Sequence, residues 1–134
     1  MIVKICMNYF ISIIHYFVDN TYYRLTLNII NELNLSKKDS KNLLNRLKDY
    51  QYVDEVPELI EGRYIRWINI TNPNNIKLTN GGILCEIKIQ DYVTLVLKNN
   101  MNRLFQINLD ENLVFQKLTD QEKIILYAID IIDN

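Results

Sequence analysis

The chain has 134 residues, the size of one domain, and 49% of them are apolar, enough to bury a real core. Fifteen basic residues stand against 16 acidic ones, with a net charge of −1 that excludes a polybasic binder held by bulk charge alone. Residues 1–67 sum to +1 and residues 68–134 to −2, so any electrostatic surface must come from local pattern.

The N-terminal stretch MIVKICMNYFISIIHYFV places Met7, Phe10, Ile11, Ile14, Phe17 and Val18 on one helical face, with Cys6, Tyr9, Ile13 and Tyr16 making the rest apolar. Ile5–Val18 is too short and too polar for a membrane span, and no small-residue cleavage site marks a signal peptide. A helix apolar all round is expected to be buried, in the core or against a partner. Asp19-Asn20-Thr21 closes it and opens a second helix, about Tyr22–Leu33, whose buried stripe is Tyr22, Leu25, Ile29 and Leu33. Asn34 tolerates the left-handed conformation of a helix end. Ser36, with Asp39 three residues on, caps a third helix over about Lys37–Tyr50, which buries Leu43, Leu44, Leu47 and Tyr50. Pro57 marks a connector, and residues 54–61 (DEVPELIE) are the best internal boundary.

From Gly62 the apolar period changes from 3.6 to 2. Gly62–Ile70 (GRYIRWINI) reads as a strand, Asn72–Asn75 as a turn, and Thr79–Gly82 as a second turn whose Asn-Gly pair suits a tight hairpin. Ile83, Cys85, Ile87 and Ile89 alternate with Leu84, Glu86 and Lys88; Val93, Leu95 and Leu97 repeat the pattern. Asn99-Asn100 turns the chain into a last strand holding Phe105, Ile107 and Leu109. Glu111–Leu118 reads as a short helical turn. Thr119-Asp120-Gln121-Glu122 is a capping box before a C-terminal helix with Ile124, Ile125, Ala128, Ile129, Ile131 and Ile132 at helical spacing. The fold class expected is α+β: an N-terminal helix-turn-helix-like unit (residues 1–56), then a four-stranded antiparallel β-meander with a C-terminal helix (residues 57–134), in one compact domain.

Few residues offer catalytic chemistry. His15, the sole histidine, lies in an apolar helix, and Gly62, Gly81 and Gly82 form no phosphate-binding loop. Cys6 and Cys85 lie too far apart for a zinc or redox motif and read as buried, reduced thiols of an intracellular protein. Asp54, Glu55, Glu58 and Glu61 form the densest acidic cluster, expected to be a solvated connector. The chain is therefore expected to be no enzyme and to hold no metal or cofactor.

Residues 36–48 carry five positive side chains against Asp39 alone, a local excess of four. The segment around them resembles a helix-turn-helix of the winged-helix type over residues 22–56. Such motifs run Ile-Ala-x-x-Leu-Gly-Leu-Ser, then a recognition helix, then Leu-x-x-Leu-x-x-x-Gly-x-Val into a strand. Here Ile29 and Ile30 begin the pattern, Leu33-Asn34-Leu35-Ser36 makes the turn, Leu44 and Leu47 hold the second helix, and Tyr52-Val53 starts the strand. Ile30 stands where a small residue is usual, Asn34 and Gln51 replace glycines, and Ser40 replaces an apolar residue. The resemblance implies duplex DNA as partner, with Lys37, Lys38, Lys41, Asn42, Asn45, Arg46 and Lys48 as the contact set: lysines for phosphates, asparagines for adenine edges. Arg63, Tyr64 and Arg66, basic residues interleaved with aromatics, are secondary contacts in the place of a wing. The alternative is a structural or assembly protein, virion-associated, acting through protein–protein contacts or homo-oligomerisation of its apolar terminal helices. Ile, Asn, Lys and Tyr are abundant, and Ala128 is the single alanine, which implies an AT-rich coding genome. In that composition, and over about residues 58–132, the chain resembles the small uncharacterised proteins of giant AT-rich DNA viruses. A third reading, a small-molecule site inside the meander, has only Tyr64 and Trp67 to support it.

Overall fold

The computed structural model describes residues 22–125. The expected first helix, with Cys6 and His15, and the end of the C-terminal helix lie outside the described residues.

Two helices open the described chain, α1 (Tyr22–Asn31) and α2 (Lys37–Arg46). Thr26 and Ile30 form the buried stripe of α1, with Leu25, Ile29 and Leu33 half-buried beside it; the stripe sits one residue round from the expected one. Asn34 takes φ 56°, the left-handed conformation expected of it. Ser36 accepts a hydrogen bond from the Asp39 backbone N–H through its hydroxyl at 3.2 Å and so caps α2. The helix ends at Arg46, short of the expected Tyr50. Leu47 closes it, and Tyr50 leaves to begin a strand, because its aromatic ring and that of Tyr52 pack on the sheet rather than along a helix face.

The sheet has six strands: β1 (Tyr50–Val53), β2 (Tyr64–Asn69), β3 (Gly82–Ile89), β4 (Val93–Lys98), β5 (Leu104–Asn108) and β6 (Asn112–Lys117). Their order is β1-β6-β2-β3-β4-β5, antiparallel throughout, so the expected simple four-stranded meander is wrong in count and in topology. The segment read as a helical turn is instead β6, which lies between β1 and β2. Asn112, Val114, Phe115 and Gln116 are all buried in it. A strand covered on both faces loses the polar alternation that identifies a strand in sequence.

The sheet curls. β5 and β6 are joined by a single 3₁₀ turn, Leu109–Glu111, yet lie four places apart in the strand order. In a flat sheet that separation is roughly 19 Å. The four Cα steps from Asn108 to Asn112 span at most ~15 Å even fully extended. The far edge is therefore brought back towards β6, giving a partly open barrel. Two features of β3 help. A β-bulge between Leu84 and Glu86 bends the strand, and Gly82 lets the Lys98 backbone approach to where a Cβ would stand 2.8 Å from its carbonyl oxygen. The bulge also resets the alternation, so Leu84 and Ile87 face the same core while Ile83 and Cys85 are exposed. The expectation of a buried Cys85 is corrected accordingly.

Each face of the sheet has its own core. Inside the curl, Val53, Leu59, Ile65, Leu84, Leu95, Leu97 and Val114 cluster with Trp67 and Ile107 at their border. On the outer face, Ile68, Leu78 and Phe115 receive Ile30 of α1 and Leu43 and Leu47 of α2. Each fully buried aliphatic side chain contributes about 1.5–3 kcal/mol of transfer free energy. This outer core fixes α2 against β1, β6 and β2, with its polar face outward.

The Asn80-Gly81 pair does not make a tight hairpin. Residues 70–81 form a long connection whose Leu78 bridges Ile68, and Gly81 (φ 93°) turns the chain into β3. The Thr119 capping box is present in both directions: Glu122 N–H donates to Thr119 Oγ1 at 3.1 Å, and Thr119 N–H donates to Glu122 Oε1 at 2.8 Å. It starts a helix that occupies residues 120–125 of the described chain.

Candidate nucleic-acid interface

Lys37, Lys38, Lys41, Asn42, Asn45, Arg46 and Lys48 are all exposed. Their common exposure follows from the helix period. Leu43 and Leu47 point into the outer core, with Leu44 half-buried beside them, and every charged position of α2 falls on the opposite arc. Among the described residues none of these five cations forms an ion pair. The pairs present are Arg63–Glu122, Lys123–Asp49 and Lys123–Asp120. Asp39 is the one carboxylate on the helix, in its first turn.

The secondary residues divide between the two faces of β2. Tyr64 and Arg66 share the outer face with α2. Arg63 belongs to the other side, where its Nη1 sits 2.6 Å from Glu122 Oε1. Glu122, 59 positions along the chain, is its partner. Trp67 borders the inner core.

Arg66 lies beside the basic helix. Its guanidinium stands 6.0 Å from the centre of the Tyr50 ring, and its Nε donates to the Thr79 carbonyl at 2.9 Å. Burial, and then the neighbouring Arg46 charge, hold its pKa below the ordinary arginine value; Tyr50 and Tyr64 act in the opposite sense. Burial raises the Tyr50 hydroxyl above its ordinary value, with Arg66 opposing the rise. The Tyr64 hydroxyl donates to the Asn80 carbonyl at 2.6 Å and ties that side chain to the connection.

Lys77 was not singled out in the sequence. Residues 76–78 of the long connection run alongside α2 and form the second wall of a groove of about 260 Å³. Leu35, Leu43, Ile76 and Leu78 line its apolar part, and Asp39, Asn42, Arg46 and Lys77 its polar part. No local signal in the sequence distinguishes Lys77 from other loop lysines; its place follows from Leu78 entering the outer core beside Ile68.

The acidic cluster lies elsewhere, in the connector built on the 3₁₀ turn Val56–Glu58. Burial, followed by repulsion from Asp54 and Glu55, raises the Glu58 carboxyl above its ordinary value. The connector is held by buried Gln116, whose Oε1 accepts from Ile60 N–H at 2.8 Å and whose Nε2 donates to the Glu58 carbonyl at 3.1 Å. Among the described residues no three His, Cys, Asp or Glu side chains come together as metal ligands would, and no helix is long and apolar enough to cross a membrane. No protein-family model matches the chain, and comparison with curated proteins and with solved structures finds no match.

Proposed function

We propose that this protein is a non-enzymatic nucleic-acid-binding protein that lays the outer face of α2 on duplex DNA. The observation that carries this reading is the unpaired basic arc of α2, with Lys77 lining the same groove as Arg46 and Arg66 near enough to feel the Arg46 charge. Four solvated cations on a capped helix, with Lys48 in the turn that follows it, are poised to displace counterions from phosphates. Asn42 and Asn45, amid the lysines, supply the paired donor and acceptor that suit an adenine edge. The residue 70–81 connection, with Lys77, takes the part of a wing in place of Arg63, Tyr64 and Arg66. Arg63 is left out of the proposed surface, because its charge is engaged by Glu122 on the other face.

The test is fluorescence anisotropy of a labelled duplex across a range of salt. Binding should weaken linearly in log salt, with a slope of about 0.9 for each phosphate contacted. The Lys37→Glu/Lys38→Glu/Lys41→Glu variant should weaken binding and flatten that slope. A duplex that does not bind at low salt, or one indifferent to the triple reversal, would leave the arc a solvated helix face.

A further inference from the structure

We infer that β5 is a self-association edge, across which two copies of this chain pair antiparallel about a two-fold axis at Gln106 and continue one sheet into the other. Among the described residues β5 is the last strand of the sheet, and its sequence LFQIN contains no charge and no proline, the usual guards of an open edge. Leu104 and Phe105 are 66% and 44% exposed.

The hydrogen-bond phase fixes which backbone groups are free. Asn99 N–H donates to the Arg103 carbonyl at 3.0 Å across the β4–β5 turn, and the two strands pair in the register Leu97 with Phe105 and Leu95 with Ile107. Residues 103, 105 and 107 therefore bond towards β4, and Leu104, Gln106 and Asn108 direct their N–H and C=O groups away from it; the Asn108 carbonyl already accepts from Asn112 Nδ2 at 2.8 Å and offers a partner its second lone pair. A two-fold axis at Gln106 sets Gln106 against itself and Leu104 against Asn108 of the second copy. All three outward residues then lie in hydrogen-bonded pairs. A shift of the axis by one residue either way leaves one of the three without a partner.

Side chains agree with the same register. Phe105 falls opposite Ile107 of the second copy, on the inner face of both sheets, so an exposed ring gains an aliphatic neighbour. Arg103, just before β5, comes to the 3₁₀ turn Leu109–Glu111 that follows β5 of the second copy, the turn that carries Asp110. Both Arg103 and Asp110 are exposed, and neither makes an ion pair among the described residues. The two-fold thus creates two equivalent Arg103–Asp110 contacts, one at each end of an uncharged strand.

Sedimentation velocity of the full chain over a concentration series tests this, with variants whose side chains lie outside the cores. The wild type should dimerise. Gln106→Lys, which sets two like charges on the axis, should abolish the dimer. Arg103→Glu and Asp110→Arg should each raise the dimer Kd by about tenfold or more, and the double variant Arg103→Glu/Asp110→Arg should restore it. Hydrogen exchange at Leu104 and Gln106 should show protection that grows with protein concentration. A chain that stays monomeric, a dimer indifferent to these substitutions, or amides already protected in the monomer by a segment of the same chain would each overturn the proposal.

Discussion

Arg63 at the entrance to β2 closes a 2.6 Å ion pair with Glu122 in the first turn of the C-terminal helix, a contact between residues 59 positions apart. Both side chains are mostly buried, 19% and 11% exposed, and Glu122 also accepts the Thr119 N–H of its own capping box. Glu122→Ala removes the partner of a partly buried guanidinium and the helix cap together, and should destabilise the fold by about 2–4 kcal/mol. Glu122→Gln keeps an acceptor for Thr119 and loses only the charge, so its cost should be nearer 1–2 kcal/mol. Urea unfolding of the two variants checks the order; equal costs would mean that the charge, not the cap, holds this corner.

Gly81 and Gly62 share φ 93° but differ in surroundings. A Cβ on Gly81 would lie 2.4 Å from the Ile65 carbonyl oxygen and 2.7 Å from the Tyr64 ring, whereas a Cβ on Gly62 meets nothing within 4 Å. Gly62→Ala should cost only the strain of a left-handed alanine, about 1 kcal/mol. Gly81→Ala should cost about 3 kcal/mol or more, because backbone must move where β2 meets β3. Denaturation midpoints give the comparison directly, and a Gly81 variant as stable as the Gly62 variant would contradict this packing.

These two glycines mark the divide between what the sequence disclosed and what it hid. Local signals were legible wherever one face of an element met water or a side chain set the backbone: the α2 period, the Ser36 and Thr119 caps, the left-handed Asn34, and the alternation of β5; β2, covered on both faces, was legible by its aromatic and β-branched residues instead. Where both faces are covered, the period vanishes. β6 buries Asn112 and Gln116 beside Val114 and Phe115, so its polar residues mimic exposed positions. Pairing is non-local as well. β1 meets β6 across some sixty residues of chain, through Tyr52 opposite Phe115, and no short-range pattern encodes that choice. The contact set on α2 could be named because it sits on one amphipathic helix. Lys77 could not, because the long connection brings it there.

The proposed DNA surface separates into parts with different signatures. Lys77→Ala should weaken binding to every duplex alike and reduce the salt slope by about 1, as loss of one phosphate contact requires. Arg66→Ala should do the same and also free the Tyr50 ring, which stands 6.0 Å from the guanidinium carbon. Asn42→Ala should leave the salt slope unchanged and reduce discrimination between duplexes by about 1–3 kcal/mol at one position. Arg63→Lys, on the opposite face of β2, should leave affinity where it was. Anisotropy titrations at two salt concentrations distinguish these outcomes. A loss with Arg63→Lys as large as with Arg66→Ala would mean that the β2 arginines act through the fold rather than through contact.

The last prediction concerns Glu58, whose carboxyl is raised above its ordinary value of 4.5 by burial first and by Asp54 and Glu55 next. A raised carboxyl binds its proton more tightly in the folded chain than in the unfolded one. Where the two states differ, the folded state holds more protons, so this residue's contribution makes stability fall as pH rises. The window opens at the unfolded value near 4.5 and closes at the higher folded value. Above it the full penalty of an ionised, half-buried Glu58 is in place; below it the penalty is gone. Glu58→Gln, which keeps the backbone carbonyl that Gln116 bonds, should therefore stabilise the fold at pH 7 by a few tenths of a kcal/mol after solvent screening. The gain should disappear below about pH 4, where the wild-type carboxyl is neutral in both states. Urea midpoints measured for both proteins from pH 4 to pH 8 follow the difference. A gain of the same size at every pH would assign the effect to packing of the amide rather than to the carboxyl's charge.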